Sequence, residues 1–436
     1  MIFTKIKNYI KEKTEHNGFK RYLANTSWLF LGKIFTLILS FFLFSYVARY
    51  LGPKNLGNLS YAQSFVSLFA IFSSFGIDHV LYRELVRHKE KRQELLGSAI
   101  LMKTVLGLIT FIITVGISLY TENECLIVLL IGIIAITNIF QPFTSASLYF
   151  DTIQKSKINT MGMILINIIL SILKIGIIIF NKGIIYFAFI FVLETVFNAI
   201  YYLIIYSYYC ESITKWRAHF TTIKSLMRES LPLLLASVSA VIYARIDQVM
   251  IKHYLDASSV GLYSVAVRIA EVWNFIPSLI ISSVFPAIIN AKITNEIVYE
   301  KRFAKLFTTT LGISILFAFS ISMFSNPIIK IVAGNQYIAA SQVLIIYIWG
   351  VVGMIVTNVA QQLLVAERWT KITFYMTMVG AVINTLLNLW LIPRLGITGA
   401  AFSTLIAYWT VPFSLFLFKN TRKKIWLILT SHFKTV

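Results

Sequence analysis

Apolar runs of about twenty residues or more recur along the whole chain, and each closes in a short polar gap that is often basic. A helix needs about 20 mostly apolar residues to cross a bilayer. Twelve runs meet that length, at about residues 22–48, 56–80, 95–119, 126–150, 158–180, 184–209, 230–252, 260–289, 306–325, 337–366, 370–391 and 397–418. The pattern predicts an all-α polytopic membrane protein with twelve transmembrane helices. Its longest polar gap between runs, CESITKWRAHFTTIKSLMRES at 210–229, falls after the sixth. The expected organisation is therefore an N-terminal cytoplasmic interfacial segment (1–21), a six-helix lobe (22–209), a cytoplasmic linker (210–229), a second six-helix lobe (230–418) and a basic cytoplasmic tail (419–436). Residues 1–20 carry Ile2, Ile6, Tyr9 and Ile10 at helical spacing among lysines, which reads as a short interfacial helix or as a disordered tail.

An internal repeat supports the two halves. The first run ends in Tyr50-Leu51 followed by Gly57; the seventh ends in Tyr254-Leu255 followed by Gly261, an offset of 204 residues. Both mark a tight turn into the next helix. Because each half has six spans, equivalent helices keep the same orientation, which predicts a pseudo-twofold axis along the membrane normal.

Composition narrows the class. Of 436 residues, 58% are hydrophobic and 13% charged, with a mean hydropathy of +0.77. Soluble domains carry about 25% charged residues. The formal charge of +21 would suggest nucleic acid in a soluble protein, but the distribution gives another meaning. Of the 39 Lys and Arg, 28 lie in alternate segments beginning with the N-terminal one, and 6 lie in the intervening connections. The positive-inside rule then places both termini in the cytoplasm. The basic gaps suit anionic lipid, and no nucleic-acid partner is expected. Cys125 and Cys210 are predicted near opposite faces and are not expected to pair. The six histidines lack a metal-ligand spacing, so neither metal nor other cofactor is expected. No cleavable leader is read at the N-terminus, so the first run is expected to stay as an anchor.

Several stretches carry a family resemblance over nearly the whole chain: VARYLGPKNLGNLSYAQS at 47–64, FSSFGIDHVLYREL at 72–85, ARIDQVMIKHYL and VGLYSVAVRIAEVWNFIP within 244–277, VFPAI at 284–288 and LIPRLGITGAAFSTLIAY at 391–408. The sequence resembles the polysaccharide-export flippases of the multidrug/oligosaccharidyl-lipid/polysaccharide (MOP) transporter superfamily, most closely the Wzx-type O-antigen flippases. The resemblance implies a MATE-like, V-shaped bundle of two six-helix lobes around a central cavity. It also implies transfer of undecaprenyl-pyrophosphate-linked repeat units from the cytoplasmic to the periplasmic leaflet of a bacterial inner membrane. The implied partners are that lipid-linked oligosaccharide and membrane lipid, with a polysaccharide polymerase and a chain-length regulator as candidate protein partners.

Charged groups at membrane depth face the bundle interior or a water-filled cavity. Mid-span the chain places Lys33, Lys103, Lys174, Arg245 and Arg268 against Glu194, Asp247 and Glu271. A net cationic interior offsets the cost of desolvating an anionic pyrophosphate. Arg245, Arg268, Lys33 and Lys174 are therefore the candidate substrate-binding residues, and an arginine fork suits phosphate. Asp247, Glu271 and Glu194 are candidates for ion coupling or ion pairs. Arg245 and Asp247 are two apart and cannot face each other, whereas Arg268 and Glu271 are three apart and can. Asp247 matches an acidic position that the resembled family carries on its seventh helix; an interhelical pair with Arg268 or Lys174 is the alternative. Lys33 and Lys103 could instead snorkel to an interface. Glu194, with Asn198 one turn on, could make a helix–helix contact. Asp78, Arg83 and Glu84 read as organisers of an inner loop. The amides Asn358, Gln361, Gln362, Asn384 and Asn388 could hydrogen-bond sugar hydroxyls or neighbouring helices.

These features lead to the expectation of a non-enzymatic flippase working by alternating access and coupled to an ion gradient. No nucleotide-binding Walker motif is present. The main alternative is a cation-coupled multidrug or small-molecule exporter of the same fold, which should carry net acid in its cavity. A membrane glycosyltransferase would need a large outer loop or paired outer carboxylates, and a scaffold would tolerate loss of every mid-span charge.

Overall fold

The computed structural model describes residues 17–210 and 212–430, without the side chains of residues 17–29, Thr370 and Leu429. The interfacial helix expected near the N-terminus falls mainly on residues 1–16, outside the described residues. Among the described residues the chain is helical throughout, with no strand. It divides into two compact units, with residues up to Phe44 and Phe72–Leu233 in unit 1 and Ser45–Ile71 and Leu234 onward in unit 2.

Among the described residues eleven stretches are long and apolar enough to cross a membrane, and the first accounts for two of the expected twelve. That stretch, Phe30–Arg87, overlaps helix α1, Asn17–Ser74, whose 58 residues would span about 87 Å at 1.5 Å per residue, far beyond one bilayer. The helix breaks at Gly52, where φ is 71° and ψ 170°, a conformation open to glycine, and Pro53 then starts the next segment. Many large apolar side chains point outward, among them Phe42, Ile112, Ile172, Leu316 and Leu386. An aqueous surface would penalise such a coat, whereas lipid matches it.

Unit 1 continues through α2 (Ile77–Arg87), α3 (Arg92–Thr121), α4 (Cys125–Ala135), α5 (Thr137–Phe140), α6 (Ala146–Thr152), α7 (Ser156–Ile179), α8 (Ile184–Tyr209) and the start of α9 (Phe220–Tyr254). The fourth span is not one helix. It loosens into a 3₁₀ turn over Gln141–Ser145, where Pro142 supplies no backbone donor. Ile77, Leu81, Leu96, Phe150 and Tyr206 form the unit's core. Lys103 does not snorkel as its sequence position allowed. It is buried, with Nζ 2.8 Å from both Asp78 Oδ1 and Ser145 Oγ. Arg83 bonds Glu84 at 2.9 Å and also Glu229, tying the inner loop to the start of α9.

Unit 2 holds the rest of α9, then α10 (Ala257–Val272), α11 (Phe275–Thr294), α12 (Glu296–Met323), α13 (Ser325–Val332), α14 (Ala340–Ala366), α15 (Thr370–Leu395), α16 (Ile397–Phe413) and α17 (Lys419–Thr430). The eighth span breaks between α10 and α11, four residues before Pro277, whose ring would crowd the Trp273 carbonyl in a continuous helix. In the basic tail, Lys424 of α17 bonds Glu296 and Glu300. Burial alone would lower this ammonium, but the two carboxylates hold its pKa above the ordinary lysine value.

The glycines of the repeat explain why residues 45–71 belong to unit 2. A Cβ on Gly57 would lie 1.6 Å from the Ala257 carbonyl oxygen, and one on Gly261 would lie 2.0 Å from the Pro53 carbonyl oxygen. Ala257 follows Pro53 by the same 204 residues that separate the glycines, so the contact is reciprocal. Ser64, two turns beyond Gly57, donates to Gln248 Oε1 at 2.7 Å. Backbone cannot rotate out of the way as a side chain can. Gly57→Val or Gly261→Val should therefore cost at least about 3 kcal/mol by overpacking. Gly116 is the control, because a Cβ added there would meet nothing within 4 Å. Gly116→Ala should be neutral or stabilise by about 0.5–1 kcal/mol. Thermal unfolding of the purified proteins, followed by fluorescence size exclusion, distinguishes them.

Candidate functional site

The interior of unit 2 joins four of the sequence-derived candidates through two polar centres. The first is Asp247 on α9, only 4% exposed. Its Oδ2 accepts from the Tyr263 hydroxyl and the Thr404 hydroxyl, each at 2.6 Å, and its Oδ1 accepts from Asn388 Nδ2 at 2.5 Å. Asn388 Nδ2 also lies 3.2 Å from Asn384 Oδ1. Thr404, Asn384 and Asn388 are fully buried. Four helices thus contribute: α9, α10, α15 and α16. The i, i+4 spacing of Asn384 and Asn388 puts both amides on one face of α15.

Asp247 therefore does not form the ion pair with Arg268 or Lys174 that its sequence setting allowed. Among the described residues no Lys, Arg or His lies within ion-pair distance of it. A carboxylate buried in a membrane span among neutral donors is costly to keep charged. Such a group gains from a proton or a small cation. Asn388 Oδ1 is a buried acceptor that has no partner of its own, so the centre has spare acceptor capacity for either.

The second centre is Glu271 with Arg245 and Arg268. Glu271 is half-buried and interacts electrostatically with both arginines. The Tyr347 hydroxyl lies 3.4 Å from Glu271 Oε1, and the Tyr347 and Tyr408 hydroxyls are 3.3 Å apart. Rings of Tyr263, Tyr347 and Tyr408 pack edge to face between the two centres, with centroids 6.0 and 6.1 Å apart. Arg245 is half-buried and Arg268 exposed, and both lie within electrostatic reach of Glu271. As their spacing on α9 requires, Arg245 and Asp247 serve different centres.

The remaining candidates sit in unit 1. Lys33 is exposed, Lys174 is half-buried, and Glu194 is half-buried and within electrostatic reach of Lys174. Asn198 donates at 2.7 Å to the Glu194 backbone carbonyl, closing a bond within its own helix. The structure thus brings together Arg245, Arg268, Glu271 and Asp247 in one unit, and Lys174 with Glu194 in the other.

Packing decides between two sets of alternatives that the sequence leaves open. Asn384 and Asn388 are sealed from solvent around Asp247, so they do not meet a sugar. Lys103 belongs to the Asp78 pair and adds no free charge. Without Lys103 and Asp247, four cations still stand against two carboxylates among the mid-span candidates. Sequence reasoning missed Tyr263, Tyr347, Tyr408 and Thr404. Their signal was a hydroxyl at membrane depth, which is too common to single out without knowing which faces meet.

The chain has relatives of known kind. A family model described as "Polysaccharide biosynthesis protein" matches residues 22–292, and one described as "MatE" matches residues 232–390. The chain is 24% identical over 390 residues to the "Probable low-salt glycan biosynthesis flippase Agl15" of Haloferax volcanii, covering 87% of this chain and 79% of that protein. Its fold is similar to an inward-facing MATE family multidrug resistance transporter of the MOP superfamily. That match has a TM-score of 0.71 and 13% identity, over 90% of this chain and 95% of the other. It is also similar to the lipid II flippase MurJ in an inward closed conformation, with a TM-score of 0.68 and 19% identity, over 92% and 90% of the two chains.

Proposed function

From the premise that this chain belongs to the polysaccharide biosynthesis protein family of the MOP superfamily, we propose that it is a flippase for a lipid-linked oligosaccharide. The observation that carries this reading is the pair Arg245 and Arg268 at mid-span, two guanidiniums within electrostatic reach of one carboxylate, Glu271. A pyrophosphate-linked sugar needs just such charge to leave water, and guanidinium forks can hold its oxygens in two directions. Unit 1 by itself carries Lys33 and Lys174 in its apolar spans. The polyprenyl chain, an undecaprenyl group in the bacterial form of this reading, stays in lipid while the headgroup crosses.

Asp247 is the coupling group in this reading. Its donors hold the carboxylate in place, and its change of charge on taking a proton or small cation alters the cost of burial. The membrane potential or an ion gradient then biases the cycle. The reaction is transport without bond chemistry, across a plasma membrane with both termini cytoplasmic. Wzx-type O-antigen repeat units are the finer form of the proposal, and other surface glycans fit the same chemistry.

The match of the MatE model to residues 232–390 favours one rival, a cation-coupled drug exporter. Proteoliposomes separate the two. Purified protein should expose a fluorescent pyrophosphate-linked oligosaccharide on the opposite leaflet, as read by lectin accessibility, and should leave a cationic dye unmoved. Dye export without glycan translocation would reject the flippase reading.

A further inference from the structure

Unit 2 also contains an apolar chamber of about 250 Å³. Every lining side chain is apolar, including Phe303 and Phe307 of α12, Trp409 of α16, and Ile425 and Ile428 of α17. Voids larger than a water molecule are few in a packed interior, and an apolar one stays dry. This chamber is not sealed: Phe413 and Phe416, which also line it, are exposed at the end of the last span. In a bilayer, that opening meets hydrocarbon.

The helix over the chamber gives the occupant its charge. On α17, residues 421, 425 and 428 face inward, and Thr421 and Ile428 are buried. Lys419, Arg422, Lys423 and Trp426 follow the i, i+3, i+4, i+7 pattern of the opposite face, and all four are exposed. Glu296 and Glu300 do not neutralise that face, because both are engaged by Lys424. A helix of this kind lies in the membrane interface, and its basic residues attract anionic headgroups.

We propose that this chamber is a binding site for an anionic diacyl phospholipid, with an acyl chain among Phe303, Phe307 and Trp409 and the headgroup phosphate on Lys419, Arg422 and Lys423. Three cations that no carboxylate among the described residues pairs with complement an acidic headgroup, which selects this occupant over a neutral lipid. The site is separate from the glycan reading and does not depend on it.

Trp409 reports on the occupant directly. The full-length protein is placed in phosphatidylcholine vesicles containing equal mole fractions of either phosphatidylglycerol or phosphatidylcholine with dibrominated acyl chains, which quench nearby indoles. The Trp409 contribution is the difference between the wild type and Trp409→Phe. Brominated phosphatidylglycerol should quench Trp409 at a mole fraction at least ten-fold lower than brominated phosphatidylcholine. The surface variant K419Q/R422Q/K423Q should remove that preference and bring the two lipids to near parity, because each basic residue near the surface contributes to holding an anionic headgroup. Ala360→Phe, which fills the chamber, should remove quenching by both lipids. Equal quenching by the two headgroups in the wild type would mean annular lipid only and would overturn the proposal. So would an unchanged preference in the triple variant, or displacement of phosphatidylglycerol by stoichiometric undecaprenyl phosphate, which would make the chamber a polyprenyl site.

Discussion

Asp247→Asn should give a protein that folds, reaches the membrane and no longer responds to an ion gradient. Asparagine keeps the shape of the side chain and can still accept from the Tyr263 and Thr404 hydroxyls, which lie 2.6 Å from Asp247 Oδ2. It cannot take up a proton or balance a cation. One elementary charge moved through 100 mV is worth about 2.3 kcal/mol, or roughly a fifty-fold bias. Stimulation of that size by an imposed gradient should vanish in the variant, while slow gradient-free exchange persists. Asp247→Ala should behave differently. It leaves the donors of Tyr263, Thr404 and Asn388 without their acceptor in a sealed site, at about 1–3 kcal/mol for each group left unsatisfied. Its melting temperature should fall well below that of Asp247→Asn. Gradient-stimulated translocation by Asp247→Asn at the wild-type rate would reduce Asp247 to a structural hub.

The second large effect concerns the cations. Arg245→Ala and Arg268→Ala should each weaken use of the pyrophosphate-linked substrate, because each removes a charged hydrogen-bonding partner worth about 1.5–3 kcal/mol, or roughly ten- to hundred-fold in apparent affinity. The double variant should show no glycan translocation and no surface polysaccharide in a complementation assay, although it is present in the membrane. Glu271 would then be a half-buried carboxylate with neither of its arginines, so the double variant should also lose stability. Arg268→Lys separates charge from geometry. It keeps the positive charge without the planar fork and should recover only part of the activity. Wild-type translocation by both single alanine variants would remove the cationic site from the mechanism.

The legible part of this protein followed from local rules. Apolar run length announced the helices, because a backbone in lipid must satisfy its own hydrogen bonds. The 204-residue repeat located the two equivalent turns. Helical spacing also separated Arg245 from Asp247 and paired Arg268 with Glu271 on one face. Breaks in the long helices fall at or beside Gly52, Pro142 and Pro277, residues whose backbone chemistry disfavours a continuous helix. Other outcomes depended on which helix faces meet, a property that one-dimensional spacing does not encode. Lys103 looked like a snorkelling lysine until Asp78 and Ser145 closed around it. Asn384 and Asn388 suited a sugar or a neighbouring helix equally, and packing turned them onto Asp247. Asp247 looked fit for an arginine partner and received a tyrosine, a threonine and an amide. The sequence by itself determined where charge enters the membrane and that it is net positive. Only the tertiary structure decided which charges are satisfied, because in a low-dielectric interior a shift of a few ångströms in a partner decides between a sealed contact and a reactive group.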